Sequence, residues 1–131
     1  MRCIVVTPER AVLDQAVEFV SLPMYDGELG VLPGRAPLIG RLGHGELRFK
    51  HGGQLERYFV DGGFAQVRAD VVTVLTQKAV PAGEIDVAAA RQQLADAVQS
   101  KAHSAGEQAV REKVEHSARA QIRVAEKQAH S

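Results

Sequence analysis

The chain has 131 residues, sixteen basic against sixteen acidic side chains, and a formal net charge of zero. That length supports one modest core, or a small domain with an appendage. Neutrality removes any electrostatic case for nucleic acid or an acidic membrane as main partner. A single cysteine, Cys3, cannot form an internal disulfide, which fits a reducing compartment.

Met1 to Arg10 carry an apolar run too short for a secretory signal, and it ends at Pro8. Nowhere do about 18 apolar residues run together as a bilayer span requires. All five prolines and eleven of the twelve glycines lie at or before Gly83; Gly106 alone follows. Such a change of punctuation separates a turn-rich segment, 1–83, from a helical one, 84–131.

The first segment reads as short strands between turns, the grammar of an all-β sandwich. Cys3–Thr7 and Val17–Leu22 are compact β-prone runs. Residues 26–38, Asp-Gly-Glu-Leu-Gly-Val-Leu-Pro-Gly-Arg-Ala-Pro-Leu, devote five positions to glycine or proline. Rich in backbone shape and poor in reactive groups, they read as a surface that docks on a partner. Glu46–Lys50 alternates as a half-buried strand, His51-Gly52-Gly53 turns, and Gln54–Val60 returns. Asp61-Gly62 predicts a second hairpin turn. Phe64–Arg68 follows, then a turn at Ala69-Asp70, then the strand Val71–Thr76.

In the second segment the period becomes helical. Val87, Leu94 and Val98, extended by Ala90 and Ala102, stripe a helix over Ile85–Lys101. Asp86 stands at its cap or first turn. His103-Ser104-Ala105-Gly106 breaks the pattern, and Val110, Val114, Ala118, Ile122 and Ala125 stripe a second helix over Glu107–Lys127. The stripes are mostly Val and Ala, so the antiparallel hairpin they predict is weakly held. Arg111, Glu115, Arg119, Arg123 and Lys127 fall at successive i+4 steps. They make either a solvated side or a basic edge for an acidic partner.

His44, His51, His103, His116 and His130 lack the spacing of a zinc pair, and no metal or cofactor is expected. No phosphate loop is present, and Gly43-His44-Gly45 reads as a turn. A carboxylate pair of Glu28 with Asp61 has no supporting residues, so the chain reads as noncatalytic.

These features together resemble the epsilon subunits of F-type ATP synthases. The likeness rests on residues 26–38, Asp61-Gly-Gly-Phe-Ala-Gln-Val-Arg68, Val72-Thr-Val-Leu75, Ile85-Asp86 and Arg123-Val-Ala-Glu126. It implies a β-sandwich of about ten strands followed by a two-helix domain. It also implies a noncatalytic rotor subunit that couples the gamma subunit to the c-ring in proton-driven ATP synthesis. In that reading Glu28, Leu29, Gly30, Pro33, Gly34 and Arg35 meet the c-ring. The hairpin, through Arg111, Arg119, Arg123 and Lys127, meets gamma and the catalytic alpha and beta subunits and restrains ATP hydrolysis. The implied location is the cytoplasmic face of a bacterial membrane, held only through partners.

Three departures qualify the likeness. Arg35 stands where the family usually has His, and His44 where it usually has Pro. In the Ile/Leu-Asp-x-x-Arg-Ala motif with which some relatives bind ATP, Ala89 replaces the arginine. Arg91 lies about 200° away around a helix, so Ile85 and Asp86 are expected to form at most a weak ATP site. The competing reading is a free-standing β-sandwich binding module with a helical tail.

Overall fold

The computed structural model describes residues 1–100 and 104–129. The β-prone runs become strands β1 (Arg2–Val6), β2 (Ala11–Ala16), β3 (Phe19–Met24) and β4 (Gly27–Val31). β5 (Leu38–His51), β6 (Gln54–Arg68), β7 (Val71–Leu75) and β8 (Ala79–Pro81) complete the sheet. Two helices follow, α1 (Val87–Gln99) and α2 (Ala105–Ala129).

The strands pair in the order β2-β1-β7-β6-β5-β3-β4, with β8 added to β6. Among the described strands, only β1 and β7 run parallel. Among the described residues there are eight strands, fewer than the ten or so expected. The difference lies in β5 and β6, which run 14 and 15 residues without interruption. Asp61-Gly62 does not make the expected hairpin turn. Pairing continues across it, with His44 opposite Asp61 and Leu42 opposite Gly63.

What the glycines do there is turn the strands over. Leu42, Leu47 and Phe49 of β5 share one core with Val60, Ala65 and Val67 of β6. Side chains on a flat strand alternate with period two, so positions 42 and 47, or 60 and 65, would face opposite ways. They reach the same core because both strands twist at Gly43–Gly45 and Gly62–Gly63. Gly62 and Gly63 hold φ of 73° and 103°, values that disfavour any Cβ. The sheet thereby folds on itself into a sandwich. Cys3, Val5, Val20, Leu22, Val31, Val72 and Val74 fill the space between its layers.

The predicted turns at 51–53 and 69–70 are present. His51 pairs with Gln54 across Gly52 and Gly53, both with positive φ. Ala69 and Asp70, at φ 51° and 62°, form the other tight turn although neither is glycine. The strands β2, β4 and β8 have no counterpart among the predicted runs. Their residues alternate too weakly to announce themselves, and pairing to a neighbouring strand stabilises them.

The helices form largely where periodicity places them. Asp86 caps α1, its Oδ1 accepting from Ala89 N at 2.9 Å. Ser104 Oγ accepts from Glu107 N at 3.1 Å. Ala105 and Gly106, expected in the link, belong instead to the first turn of α2. Lys101, Ala102 and His103 lie outside the described residues. Of the expected stripes, Ala90 and Ala118 are buried, but Val98, Val110 and Val114 are exposed. Those three lie toward the connected ends of the helices. α2 meets the sandwich through its C-terminal half, where Ala120 and Val124 are buried.

Candidate docking surfaces

Two separate clusters organise the molecule. The main core contains no helical residue. Phe59, Ala82, Ala120 and Val124, with half-buried Ile85 beside them, make a second and much smaller cluster. It arises because adjacent residues of β6 face opposite ways: Val60 enters the sandwich while Phe59 points out beneath α2.

The segment 26–38 resolves into strand β4 and an exposed loop, 32–37. Gly34 takes φ 85°, and its N–H donates to Asp70 Oδ1 at 2.8 Å, tying the loop to the β6–β7 turn. Arg35 N–H donates to Leu32 O at 3.3 Å. Leu32 is exposed, as are Pro33, Gly34 and Arg35. Leu29 packs on the main core, and Gly30 lies under the Phe19 ring. Glu28 is engaged elsewhere. Its Oε1 accepts from Ser21 Oγ at 2.5 Å and from Arg48 Nη2 at 2.6 Å. These contacts hold the Glu28 carboxyl below its usual value, the Ser21 hydrogen bond foremost. The six residues of the expected ring contact therefore divide: Glu28 sits early in β4, and Pro33 to Arg35 sit beyond its far end.

Glu28 and Asp61 do not form a pair. Asp61 bonds to Nδ1 of His44, so this histidine is half-buried and partnered. His51 pairs with Glu56 at 3.2 Å, and His116 is exposed. His103 and His130 lie outside the described residues. Burial pushes the Cys3 thiol up to about 12, in keeping with a small apolar role.

A second surface was not singled out from sequence. Ile39, Phe64 and Leu75 are 74%, 59% and 53% exposed on one outer face of the sheet. Register places Leu75 opposite Phe64. With Ala65, Gln66 and Thr73 they border a groove of about 140 Å³. Nearby, Arg41 stacks over Tyr25 at 4.8 Å. A signal for this face exists in the sequence. In Phe64–Arg68, Ala65 and Val67 take the buried parity, which leaves an aromatic on the polar one.

The basic residues of α2 do not share one face. Each i+4 step advances about 40° around a helix, so Arg111 and Lys127 stand about 160° apart. Arg111 reaches α1, donating to Ser100 O at 3.1 Å, and pairs with Glu115 at 3.8 Å. Arg119 projects outward with Glu115 at 4.0 Å. Arg123 borders the seam with the body, and Lys127 Nζ lies 3.9 Å from Glu46 Oε2. Of the expected nucleotide pair, Asp86 is committed to capping α1 and Ile85 to the Phe59 cluster. A groove of about 570 Å³ between the helices carries Asp61, Asp96 and Glu107 against Lys78, Arg111 and Lys113, with no cationic excess.

Residues 1–82 match the family model for the ATP synthase, Delta/Epsilon chain, beta-sandwich domain. An ATP synthase epsilon chain of Rhodopirellula baltica is 50% identical over 123 residues, covering 94% of this chain and 96% of that one. Among solved structures, a chain of the Euglena gracilis mitochondrial ATP synthase (OSCP/F1/c-ring) superposes with a TM-score of 0.75 at 29% identity. That match covers 98% of this chain and 80% of the other. A chain of the Tetrahymena thermophila mitochondrial ATP synthase central stalk and c-ring gives a TM-score of 0.74. At 12% identity, covering 95% and 96% of the two chains, it speaks for the fold alone.

Proposed function

This chain belongs to the ATP synthase delta/epsilon family, and from that premise we propose that it is a noncatalytic rotor subunit of the central stalk. Its sandwich binds the gamma subunit and rests on the c-ring, coupling the two in proton-driven ATP synthesis. The exposed loop 32–37, with Pro33, Gly34 and Arg35, supplies the ring contact, and Leu29 and Gly30 hold the loop's base in position. Glu28 contributes indirectly, by fixing β4. The Ile39–Phe64–Leu75 face is the sandwich's docking surface for gamma, since a patch of large apolar side chains marks a protein contact. The protein stays at the cytoplasmic face of a bacterial membrane through these partners; no described helix is long and apolar enough to cross one.

The hairpin acts as a detachable brake on ATP hydrolysis. The observation that carries this reading is the separation of the two apolar clusters. The apolar join between α2 and the body is Phe59 with a few smaller side chains, so undocking leaves the main core untouched. Released, the hairpin offers Arg111, Arg119, Arg123 and Lys127 to acidic surface on gamma and the catalytic subunits. Tight ATP binding is not part of the proposal, because Asp86 already caps α1 and Ala89 carries no charge.

The test is reconstitution with the other stalk and catalytic subunits, comparing the full chain with one ending at Gly83. Retained assembly with faster ATP hydrolysis on truncation supports both halves. Loss of gamma binding by the shortened chain would overturn the division of labour. Unchanged hydrolysis would overturn the brake. A full chain that ignores gamma but binds a small ligand would point to a free-standing binding module.

A further inference from the structure

The face of β5 and β6 beneath α2 is unusually charged for a seam. Register sets Glu46 opposite Phe59 and Arg48 opposite Arg57. Directly opposed like charges on a sheet destabilise it unless something stands between them. Glu46 does so: its carboxylate lies 3.4 Å from Arg48 Nη1 and 3.5 Å from Arg57 Nε. Arg48 also holds Glu28 at 2.6 Å. Within the body the two arginines and two glutamates balance.

Helix α2 brings two more cations to this seam, Arg123 at its border and Lys127. Lys127 reaches from its last turn to Glu46 Oε2, at 3.9 Å. Glu46 is only 10% exposed at its side chain, so its field is less screened than that of a surface carboxylate. One and two turns back on the same side, Val124 and Ala120 pack on Phe59. The apolar contact and the charge contact therefore sit next to each other on the sheet and hold the same stretch of helix.

We propose that Glu46 is the clasp that positions the C-terminal turns of α2 on the body, acting through Lys127. Arg48 links that clasp to β4 through Glu28, the strand that leads into the exposed loop 32–37. Removing the Glu46 charge takes from Arg48, Arg57 and Lys127 the carboxylate that all three approach. Of the three, Lys127 is the one carried by the helix, and it is 61% exposed. Loss of the clasp thus loosens the hairpin's hold on the body while the sandwich keeps its core. This inference rests on the detachable hairpin proposed above.

Amide hydrogen exchange on the full chain tests both and separates them. In the unmodified protein α2 should exchange faster than β1, β6 and β7; equal protection would overturn the detachable hairpin. Glu46→Gln should speed exchange over residues 118–128 by about tenfold with the β7 amides unchanged. Lys127→Gln should give a smaller increase. The double variant should be no worse than Glu46→Gln alone, because the contact the two residues share is already broken. If Glu46→Gln leaves α2 within about twofold of the parent, the clasp is overturned and the detachable hairpin stands. The clasp is equally overturned if exchange rises as much in β7 as in α2, or if the two substitutions simply add.

Discussion

Gly63 of β6 approaches Leu75 of β7 so closely that a Cβ built on it would overlap the Leu75 carbonyl oxygen. Position 63 also holds φ 103°. This is the point where the long β5–β6 hairpin turns from one layer of the sandwich to the other. Gly63→Ala should therefore destabilise the protein by about 2–4 kcal/mol, from backbone strain and forced separation of β6 and β7. Urea unfolding measures it. A cost below about 0.5 kcal/mol would show that the approach relaxes freely.

The β6–β7 turn offers the opposite experiment. Ala69 sits at φ 51°, a conformation that costs an alanine about 1 kcal/mol. Ala69→Gly should stabilise the fold by a few tenths to about 1 kcal/mol, and Ala69→Asn by a similar amount. Asp70 must be left alone, since its Oδ1 receives the Gly34 N–H. A lowered urea midpoint for Ala69→Gly would contradict the tight-turn geometry.

Phe59 should behave differently in two lengths of chain. In the full protein its ring is wholly buried under α2, and Phe59→Ala should cost about 3–5 kcal/mol of hairpin docking. Trypsin should then cut α2 at Arg119 and Arg123 far faster. In a chain ending at Gly83 the same ring has lost its helical cover, and the substitution should cost less than about 1 kcal/mol. Equal costs in both lengths would mean that Phe59 belongs to the body's own core.

Acid should weaken the body through Glu28. Its carboxyl is held below the ordinary value of 4.5 in the fold, mainly by Ser21 and then by Arg48. A group depressed in this way contributes stability that is complete above the unfolded value and fades as pH falls through the folded one. Glu28→Gln removes that contribution, so its urea midpoint should fall less between pH 7 and pH 3 than the parent's. Asp14, lowered by Arg2, gives a parallel loss that the substitution leaves in place. Identical acid limbs for parent and variant would exclude Glu28 as a contributor.

The division at Gly83 was legible because glycine and proline act locally: each restricts or frees its own φ wherever it stands. Turns at Gly52-Gly53 and Ala69-Asp70, the cap at Asp86 and the helical stripes are local in the same sense. Asp61-Gly62 misled for a related reason. The pair permits a positive φ, but whether the chain reverses or merely bends depends on what lies opposite, here His44 on β5. The i+4 row of arginines misled through accumulated rotation, which no single step reveals.

Sequence by itself determined a turn-rich sandwich followed by two alanine-rich helices, and its motifs pointed to the right family. Only tertiary structure decided that Glu28 faces Ser21 and Arg48, and that Phe59 turns out of the sandwich to meet α2. It alone set Glu46 between Arg48, Arg57 and Lys127. Those relations join residues far apart in the chain. They exist because strands pair in register and a sheet folds over, and periodicity within one segment carries no record of either.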